Sequence, residues 1–93
     1  MIVGTCVLEV YIGDSQSLKD KRRVIKSAID QIKNNFNVSI AEIGNLDQWQ
    51  RATLGIAVVS QDTVLANQIL TRIISYLEYK GTMEIIDYSI ELL

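Results

Sequence analysis

The chain of 93 residues contains no histidine and no proline, and it has a single cysteine, Cys6. Without histidine it lacks the commonest metal ligand and the side chain best suited to proton transfer near neutral pH. One cysteine cannot form an intramolecular disulfide, which favours a reducing compartment. We therefore expect no metal site and no bound cofactor.

Long apolar runs are also missing. No segment reaches the roughly 18 uninterrupted apolar residues that a membrane span requires. Glu9 interrupts the apolar N-terminal stretch, and no basic segment precedes it, which is typical of a first strand rather than a signal peptide. We predict a cytoplasmic protein without membrane contact. Catalysis would have to depend on carboxylates alone, and their spacing along the chain does not bring two of them together. We therefore expect that the protein is not an enzyme.

Two periodicities alternate along the chain. Residues 2–12, 38–44, 51–60 and 82–92 are rich in Val, Ile and Tyr and are predicted strands. Residues 18–35 and 63–79 have apolar residues at helical spacing, with Ser17 and Asp62 as candidate N-caps and Gly81 as a candidate C-cap. A chain of this length supports one domain, here residues 1–93.

The order β-α-β-β-α-β predicts an α+β fold, the ferredoxin-like sandwich. Two right-handed βαβ units interleave to give a four-stranded antiparallel sheet with two helices on one face. The period of two along each strand predicts an outer sheet face that is too apolar to be merely solvated. Met83 is predicted on that face. Candidate residues for a homodimer interface there are Val3, Val7, Tyr11, Val59 and Ile85.

The charge pattern is uneven. The net charge is -2, yet six of the nine Lys and Arg residues lie between Lys19 and Lys33. On a helical wheel most of them share an arc of about 100°. This basic stripe consists of Lys19, Arg22, Arg23, Lys26 and Lys33. It is interpreted either as an anion-binding edge that contacts phosphates or as a solvated helix face. Arg51, at the start of the third strand, is predicted to extend the stripe or to pair with Asp47.

Two residues stand apart from these patterns. The wheel direction of Lys21 lies inside the apolar arc, but near a helix end its side chain can reach past the edge of the core. Its ammonium would then need a partner such as Asp14, Asp47 or the sheet edge, and the sequence leaves open whether Lys21 is buried. Trp49 is the only tryptophan and lies in the polar connection between the middle strands. We favour a buried plug over one end of the sheet, with an interface anchor or a stacking platform for a base as alternatives.

Three segments together resemble a known family: SLKDKRRVIKS at 17–27, FNVSIAE at 36–42 and DQWQRATLGIAVVS at 47–60. They are similar to the YlxP-like family of small bacterial proteins of unknown function, over nearly the whole chain. The resemblance implies a ferredoxin-like fold and a cytosolic protein. Genes of this family commonly lie among those for translation initiation and ribosome maturation, which implies a connection to the ribosome or its RNA. The resemblance assigns no activity and no catalytic residue.

Three hypotheses of function follow. The first is a binding module for the ribosome or ribosomal RNA. Its contacts would be Lys19, Arg22, Arg23 and Lys26, with Arg51 nearby. The second is a protein-interaction module that forms a homodimer through the outer sheet face. The third, a small-molecule-sensing regulatory domain, depends on analogy with other ferredoxin-like domains. Stacking of RNA across the sheet is disfavoured, because Tyr11 is the only aromatic predicted on the outer face of the central strands.

Overall fold

Six elements follow one another in the order β-α-β-β-α-β in the computed structural model, which describes all 93 residues. They are β1 (Ile2–Tyr11), α1 (Leu18–Asn35), β2 (Ser39–Gly44), β3 (Arg51–Ser60), α2 (Thr63–Lys80) and β4 (Glu84–Leu92). All strand pairs are antiparallel, and the strand order is β2-β3-β1-β4. The predicted ferredoxin-like architecture is therefore confirmed, with β1 and β3 as the central strands.

Side chains cap the helices where the sequence predicts. The Ser17 hydroxyl accepts a hydrogen bond from the Asp20 backbone N–H at 3.1 Å, and the Asp20 carboxylate accepts one from the Gln16 N–H at 3.1 Å. Asp62 caps α2 in the same way, accepting from the Leu65 N–H at 2.7 Å. Gly81 ends α2 at φ 69°, a left-handed conformation that glycine adopts without steric cost.

The core lies between the helices and the inner face of the sheet and contains 18 buried residues. Gly4 of β1 allows α2 to approach the sheet closely. A Cβ at this position would lie 3.1 Å from Val58 Cγ1, 3.2 Å from Leu70 Cδ1 and 3.3 Å from Ala66 Cβ. Neither helix combines the length and the apolar character that crossing a bilayer requires.

The pairing of β4 corrects one part of the predicted outer face. Glu9 pairs with Asp87 but Val10 pairs with Ile85, so Ile86 is an extra residue in a β-bulge. Because Val10 is buried against the helices, Ile85 faces inward and packs against the core, and Met83 is buried as well. The prediction that Ile85 and Met83 lie on the outer face is wrong, since one inserted residue reverses the alternation beyond it.

Burial makes the Cys6 thiol unreactive. Cys6 is only 1 % exposed, and desolvation raises the pKa of its thiol to about 11. Because the thiolate is the nucleophile, we expect iodoacetamide to leave Cys6 unmodified in the native protein near pH 8 and to label it fully in concentrated urea. Labelling of the native protein at the rate of a free thiol would contradict this placement.

The same pKa difference predicts a loss of stability in alkaline solution. An unfolded thiol titrates near pH 8.5, below the native value, so the unfolded chain loses its proton first. The contribution of Cys6 to the free energy of unfolding is therefore complete below about pH 8.5 and is lost as the pH rises towards about 11. The free energy of unfolding, measured by urea denaturation at a series of pH values across this range, should fall more steeply with pH for the wild type than for Cys6→Ala.

Candidate nucleic-acid interface

Helix α1 has two opposite faces. Its buried residues are Lys21, Ile25, Ala28 and Ile32. The structure places the whole basic stripe on the other side, and all of its members are exposed: Lys19, Arg22, Arg23, Lys26 and Lys33. The segment folds as a helix here because Ser17 and Asp20 cap its first turn and its apolar residues recur at helical spacing.

Most cations of the stripe have no acidic partner. Only Lys26 forms an ion pair, with Asp30 at 2.9 Å, and both side chains are largely exposed. An exposed pair of this kind contributes at most about 1 kcal/mol, so a stronger anion can displace it. Two other acids, Asp14 and Asp20, line a cavity together with Arg23, but neither forms an ion pair, and Asp20 accepts the hydrogen bond from Gln16. The exposed face of α1 therefore presents cations whose charge is mostly uncompensated.

Charge is segregated between the two faces of the protein. In the register of β1 and β4, Glu9 lies opposite Asp87, and the two outward positions Thr5 and Tyr11 lie opposite Glu91 and Glu84. The outer sheet face therefore carries an acidic row. It consists of Glu9, Glu84, Asp87 and Glu91. An anionic partner is repelled from this side and attracted to the helix side, although the net charge is only -2.

Arg51 does not extend the basic stripe. It begins β3 opposite Tyr11, so its position in the register is on the outer face, across the sheet from α1. It forms no ion pair with Asp47 or any other acid. Both parts of the prediction for Arg51 are wrong, because strand alternation decides the side of the sheet on which an arginine lies and proximity in sequence to the loop does not.

Lys21 lies at the N-terminal end of the buried face of α1 and has no solvent exposure. Its Nζ donates hydrogen bonds to the backbone carbonyls of Asn45 at 2.8 Å, Arg51 at 3.2 Å and Leu46 at 3.3 Å. Glu42 of the edge strand β2 places Oε2 2.9 Å from the same nitrogen. The structure thus shows that Lys21 is buried, a point that the sequence left open, and of the predicted partners the sheet edge is correct.

The Glu42 contact supplies charge rather than a further hydrogen bond. An ammonium has three protons, and the three carbonyls of the hairpin accept them. Glu42 Oε2 is buried and makes no hydrogen bond of acceptable geometry, despite its short distance to Lys21 Nζ. Neutralisation by Glu42 makes burial of the ammonium tolerable, while the carbonyls fix where the hairpin lies on α1.

The connection between β2 and β3, residues 45–50, is held on its other side too. Asn45 adopts the left-handed conformation at φ 57°, and its amide donates to Thr53 Oγ1 at 3.0 Å and to Glu9 Oε2 at 3.3 Å. Gln50 donates to the carbonyls of Gly13 and Ser15 at 3.2 and 3.1 Å. These bonds fix the hairpin base between α1, the first turn and the outer face.

Trp49 lies two residues before β3 and is 57 % exposed. The favoured prediction of a buried plug is wrong. The side chain that contacts the hairpin from α1 is that of Lys21, whose Nζ bonds the carbonyls of Asn45, Leu46 and Arg51, while the indole lies at the surface. Leu46 in the same loop is exposed as well. The alternatives, an interface anchor or a stacking platform, remain predictions.

Ile43 is an outer-face residue that sequence reasoning missed. The register of β2 shifts between Glu42 and Gly44, which places Ile43 in an irregularity. Its Cδ1 lies 3.0 Å from where a Gly55 Cβ would be, so Ile43 covers the space left by that glycine. The available signal was Gly55 itself, since a glycine within a strand often marks a close approach of a neighbour.

Loss of the Lys21 ammonium should destabilise the whole fold. We expect Lys21→Met to lower the free energy of unfolding by about 3–5 kcal/mol, because Glu42 and the hairpin carbonyls are left buried without a partner. Lys19→Met, on the exposed face of the same helix, should change it by less than about 0.5 kcal/mol. Urea unfolding measures both. Replacing both partners, Lys21→Met with Glu42→Leu, should restore part of the lost free energy of unfolding. Equal destabilisation by Lys21→Met and Lys19→Met would contradict the role assigned to Lys21.

Comparisons with known proteins place the chain in a family. The family model described as "Protein of unknown function (DUF503)" matches residues 3–90. The uncharacterized protein YlxP of Bacillus subtilis (strain 168) is 42 % identical over 77 residues, which cover 83 % of this chain and 84 % of that protein.

Solved structures agree on the fold alone. A de novo designed protein with a ferredoxin fold, LFR1 1, superposes with a TM-score of 0.58 at 15 % identity, covering 100 % of this chain and 84 % of the design. The designed protein Foldit4 gives a TM-score of 0.53 at 14 % identity, covering 100 % of this chain and 97 % of that design. By its sequence match from residue 3 to residue 90, and by its identity to YlxP, the chain belongs to the DUF503 family of proteins of unknown function.

Proposed function

We propose that this protein is a non-enzymatic RNA-binding module that contacts ribosomal RNA through the basic stripe of α1. The proposal is carried by one observation. Lys19, Arg22, Arg23 and Lys33 share an exposed helix face without an acidic partner, and the acidic row lies on the opposite side of the molecule. Ribosomal RNA is the partner chosen because genes of YlxP-like proteins lie among those for translation initiation and ribosome maturation.

The position of the stripe along α1 supports an anionic partner. Its first members, Lys19, Arg22 and Arg23, lie in the first two turns, where the helix dipole disfavours cations. Each costs the isolated helix a few tenths of a kcal/mol at that end. A phosphate that approaches this end contacts the side-chain cations and is also favoured by the dipole, so binding turns an unfavourable arrangement into a favourable one.

Contacts of this kind should be strongly dependent on salt. Three to five phosphate contacts give a slope of log K against log salt of about -2 to -4.5, depending on whether the RNA is single-stranded or duplex. Such contacts fix position and carry no sequence information. The basic stripe alone therefore accounts for affinity and not for the choice of a particular RNA sequence.

Charge reversal at Arg22 is the sharpest test of this proposal. We expect Arg22→Glu to weaken binding to ribosomal RNA and to reduce the magnitude of the salt slope by about 1 or more, because one phosphate contact is lost and a repulsive charge is added. Arg72→Glu is the matched control, since Arg72 is exposed on α2 and also lacks an ion pair. Filter binding and co-sedimentation with ribosomal subunits across a salt series measure both variants.

Two outcomes would overturn the proposal. One is that Arg22→Glu and Arg72→Glu weaken RNA binding equally, which would indicate that binding responds only to the net charge of the protein. The other is binding that does not change with salt. Circular dichroism of each variant checks that the fold is intact, which we expect because both arginines are exposed.

Self-association through the outer sheet face is a second candidate, favoured by an apolar strip on β1, β2 and β3. Its members are Val3, Val7, Ile43, Ala57 and Val59. The strip borders the acidic row and has Arg51 as its one cationic neighbour, so an anionic partner is disfavoured there. A second copy presents the same strip, and two such sheets pack face to face at about 10 Å.

The oligomeric state of Val59→Asp tests this candidate. We expect the wild type to show a concentration-dependent dimer by light scattering or sedimentation, and Val59→Asp to abolish it because a carboxylate would be buried at the contact. Val64→Asp is the matched control. Val64 is 66 % exposed and Val59 67 %, but Val64 lies in the first turn of α2, away from the sheet face. A wild type that is monomeric at every concentration would exclude the dimer.

A further inference from the structure

A groove of about 270 Å³ lies between α1 and α2, beside the basic stripe. Its walls are formed mainly by Arg23, Ser27 and Gln31 of α1, Lys80 of α2, and Thr82 beyond α2. Ligand pockets generally measure about 300–1,000 Å³, so the groove is slightly smaller than that range. It has room for one small ring system and not for an extended ligand.

The chemistry of the groove is divided between its floor and its rim. Val24, Ala28 and Leu77 form an apolar floor, and Ala28 and Leu77 are themselves buried. Arg23 and Lys80 are exposed cations on the two sides, and neither forms an ion pair. A ligand that satisfies both parts has a flat apolar body and an attached anionic group.

Three contacts already order side chains that line the groove, one of them between the helices. The Tyr76 hydroxyl of α2 donates a hydrogen bond to Gln31 Oε1 of α1 at 3.2 Å, and Gln31 Nε2 donates one to Ser27 Oγ at 3.3 Å. Lys80 Nζ lies 5.5 Å from the centre of the Tyr76 ring, a cation–π contact. Groups fixed before binding lose less conformational entropy when a ligand arrives, which favours a specific site.

We propose that this groove binds one nucleotide of single-stranded RNA, with the base on the apolar floor and its phosphate between Arg23 and Lys80. The proposal rests on the RNA-binding function and deepens it. Arg23 belongs both to the basic stripe and to the groove, so a strand that follows the stripe passes the mouth of the groove. Arginine planes stack on unpaired bases. The Gln31 amide, beyond its bonds to Ser27 and Tyr76, keeps one N–H and one oxygen lone pair for a base edge.

This site would add the selectivity that the basic stripe lacks. A base in a duplex is stacked and paired and cannot enter a groove of this size, whereas a base in a loop can be turned outwards. The stripe would hold either form of RNA by its phosphates, and the groove would favour the single-stranded form. A free nucleoside monophosphate has the same chemistry as one nucleotide of RNA. The test must therefore distinguish RNA from a free nucleotide as the ligand of the groove.

Filling the groove without changing charge tests the proposal. Ser27 is exposed on the groove wall, so Ser27→Trp should occupy the groove and leave the fold and the stripe intact. Ser75→Trp is the matched control, since Ser75 is exposed on α2 and does not line the groove. The probes are a short single-stranded RNA of mixed sequence, the duplex of that sequence, and adenosine and uridine monophosphates.

We expect Ser27→Trp to weaken binding of the single strand by about tenfold, the loss of one stacked base, and to leave duplex binding unchanged. Ser75→Trp should match the wild type with both probes. Lys80→Gln is a second variant, because Lys80 is exposed on α2 outside the stripe. It too should weaken binding of the single-stranded RNA more than binding of the duplex.

The contrary outcomes are distinct. Single-strand binding that is unchanged in both Ser27→Trp and Lys80→Gln overturns the groove while leaving the stripe as the RNA contact, provided that Arg22→Glu still weakens binding. A wild type that binds no RNA overturns the proposed function together with this inference. Nucleoside monophosphates that bind the groove while RNA does not would also overturn it, and would identify a free nucleotide as the ligand.

Discussion

The buried ammonium of Lys21 is the interaction on which the rest of the structure depends. It joins α1 to the β2–β3 hairpin, which is distant in sequence, through Glu42 of the edge strand and the backbone carbonyls of Asn45, Leu46 and Arg51. Burial of a charge without a partner costs several kcal/mol, so this arrangement is stable only when all the acceptors are in place. The ammonium therefore selects one position of the hairpin and one rotation of α1. With Lys21 directed inwards, the helical period turns Lys19 and Arg23 to the opposite side.

The rotation of α1 explains how an acidic protein can present a cationic surface. Its pI near 4.9 argues against general attraction to nucleic acid. Four of the eleven acids, however, lie on the outer face of the sheet, on β4 and at Glu9, with the sheet between them and the outer face of α1. The two helices carry seven exposed cations and only three acids. At physiological ionic strength, interactions between exposed charges decay over about 8 Å, and stacked layers are separated by about 10 Å. The acidic row is thus largely screened from the basic stripe, and the local field at α1 is set by its own cations.

How much the sequence could predict depends on whether a feature was local. Ser17, Asp62 and Gly81 act within one turn of the chain, so capping chemistry was enough to locate the helix ends. The direction of Lys21 followed from helical periodicity. Ile85 was misplaced because a single bulge at Ile86 reverses the alternation, and no composition signal marks that insertion. The prediction for Trp49 was wrong because the contact that holds the hairpin is made by Lys21 of α1, a residue far from it in sequence, and not by the indole. The groove between the helices could not be foreseen at all, since its walls come from α1, α2 and Thr82.

The two proposed surfaces of the protein constrain each other through the geometry of the sandwich. The helices cover one face of the sheet, and the apolar strip lies on the other. A dimer formed through the strip would therefore direct the two α1 helices away from each other, with two sheets between them. Two stripes that face in opposite directions cannot lie along one short RNA duplex. For both stripes of a dimer to be occupied at once, the RNA would have to be two separate strands or one long flexible strand that passes around the dimer. In the second case the length of that RNA sets the effective concentration of its second segment at the second stripe. Self-association would thus produce a bridge between RNA segments and not a larger continuous binding surface.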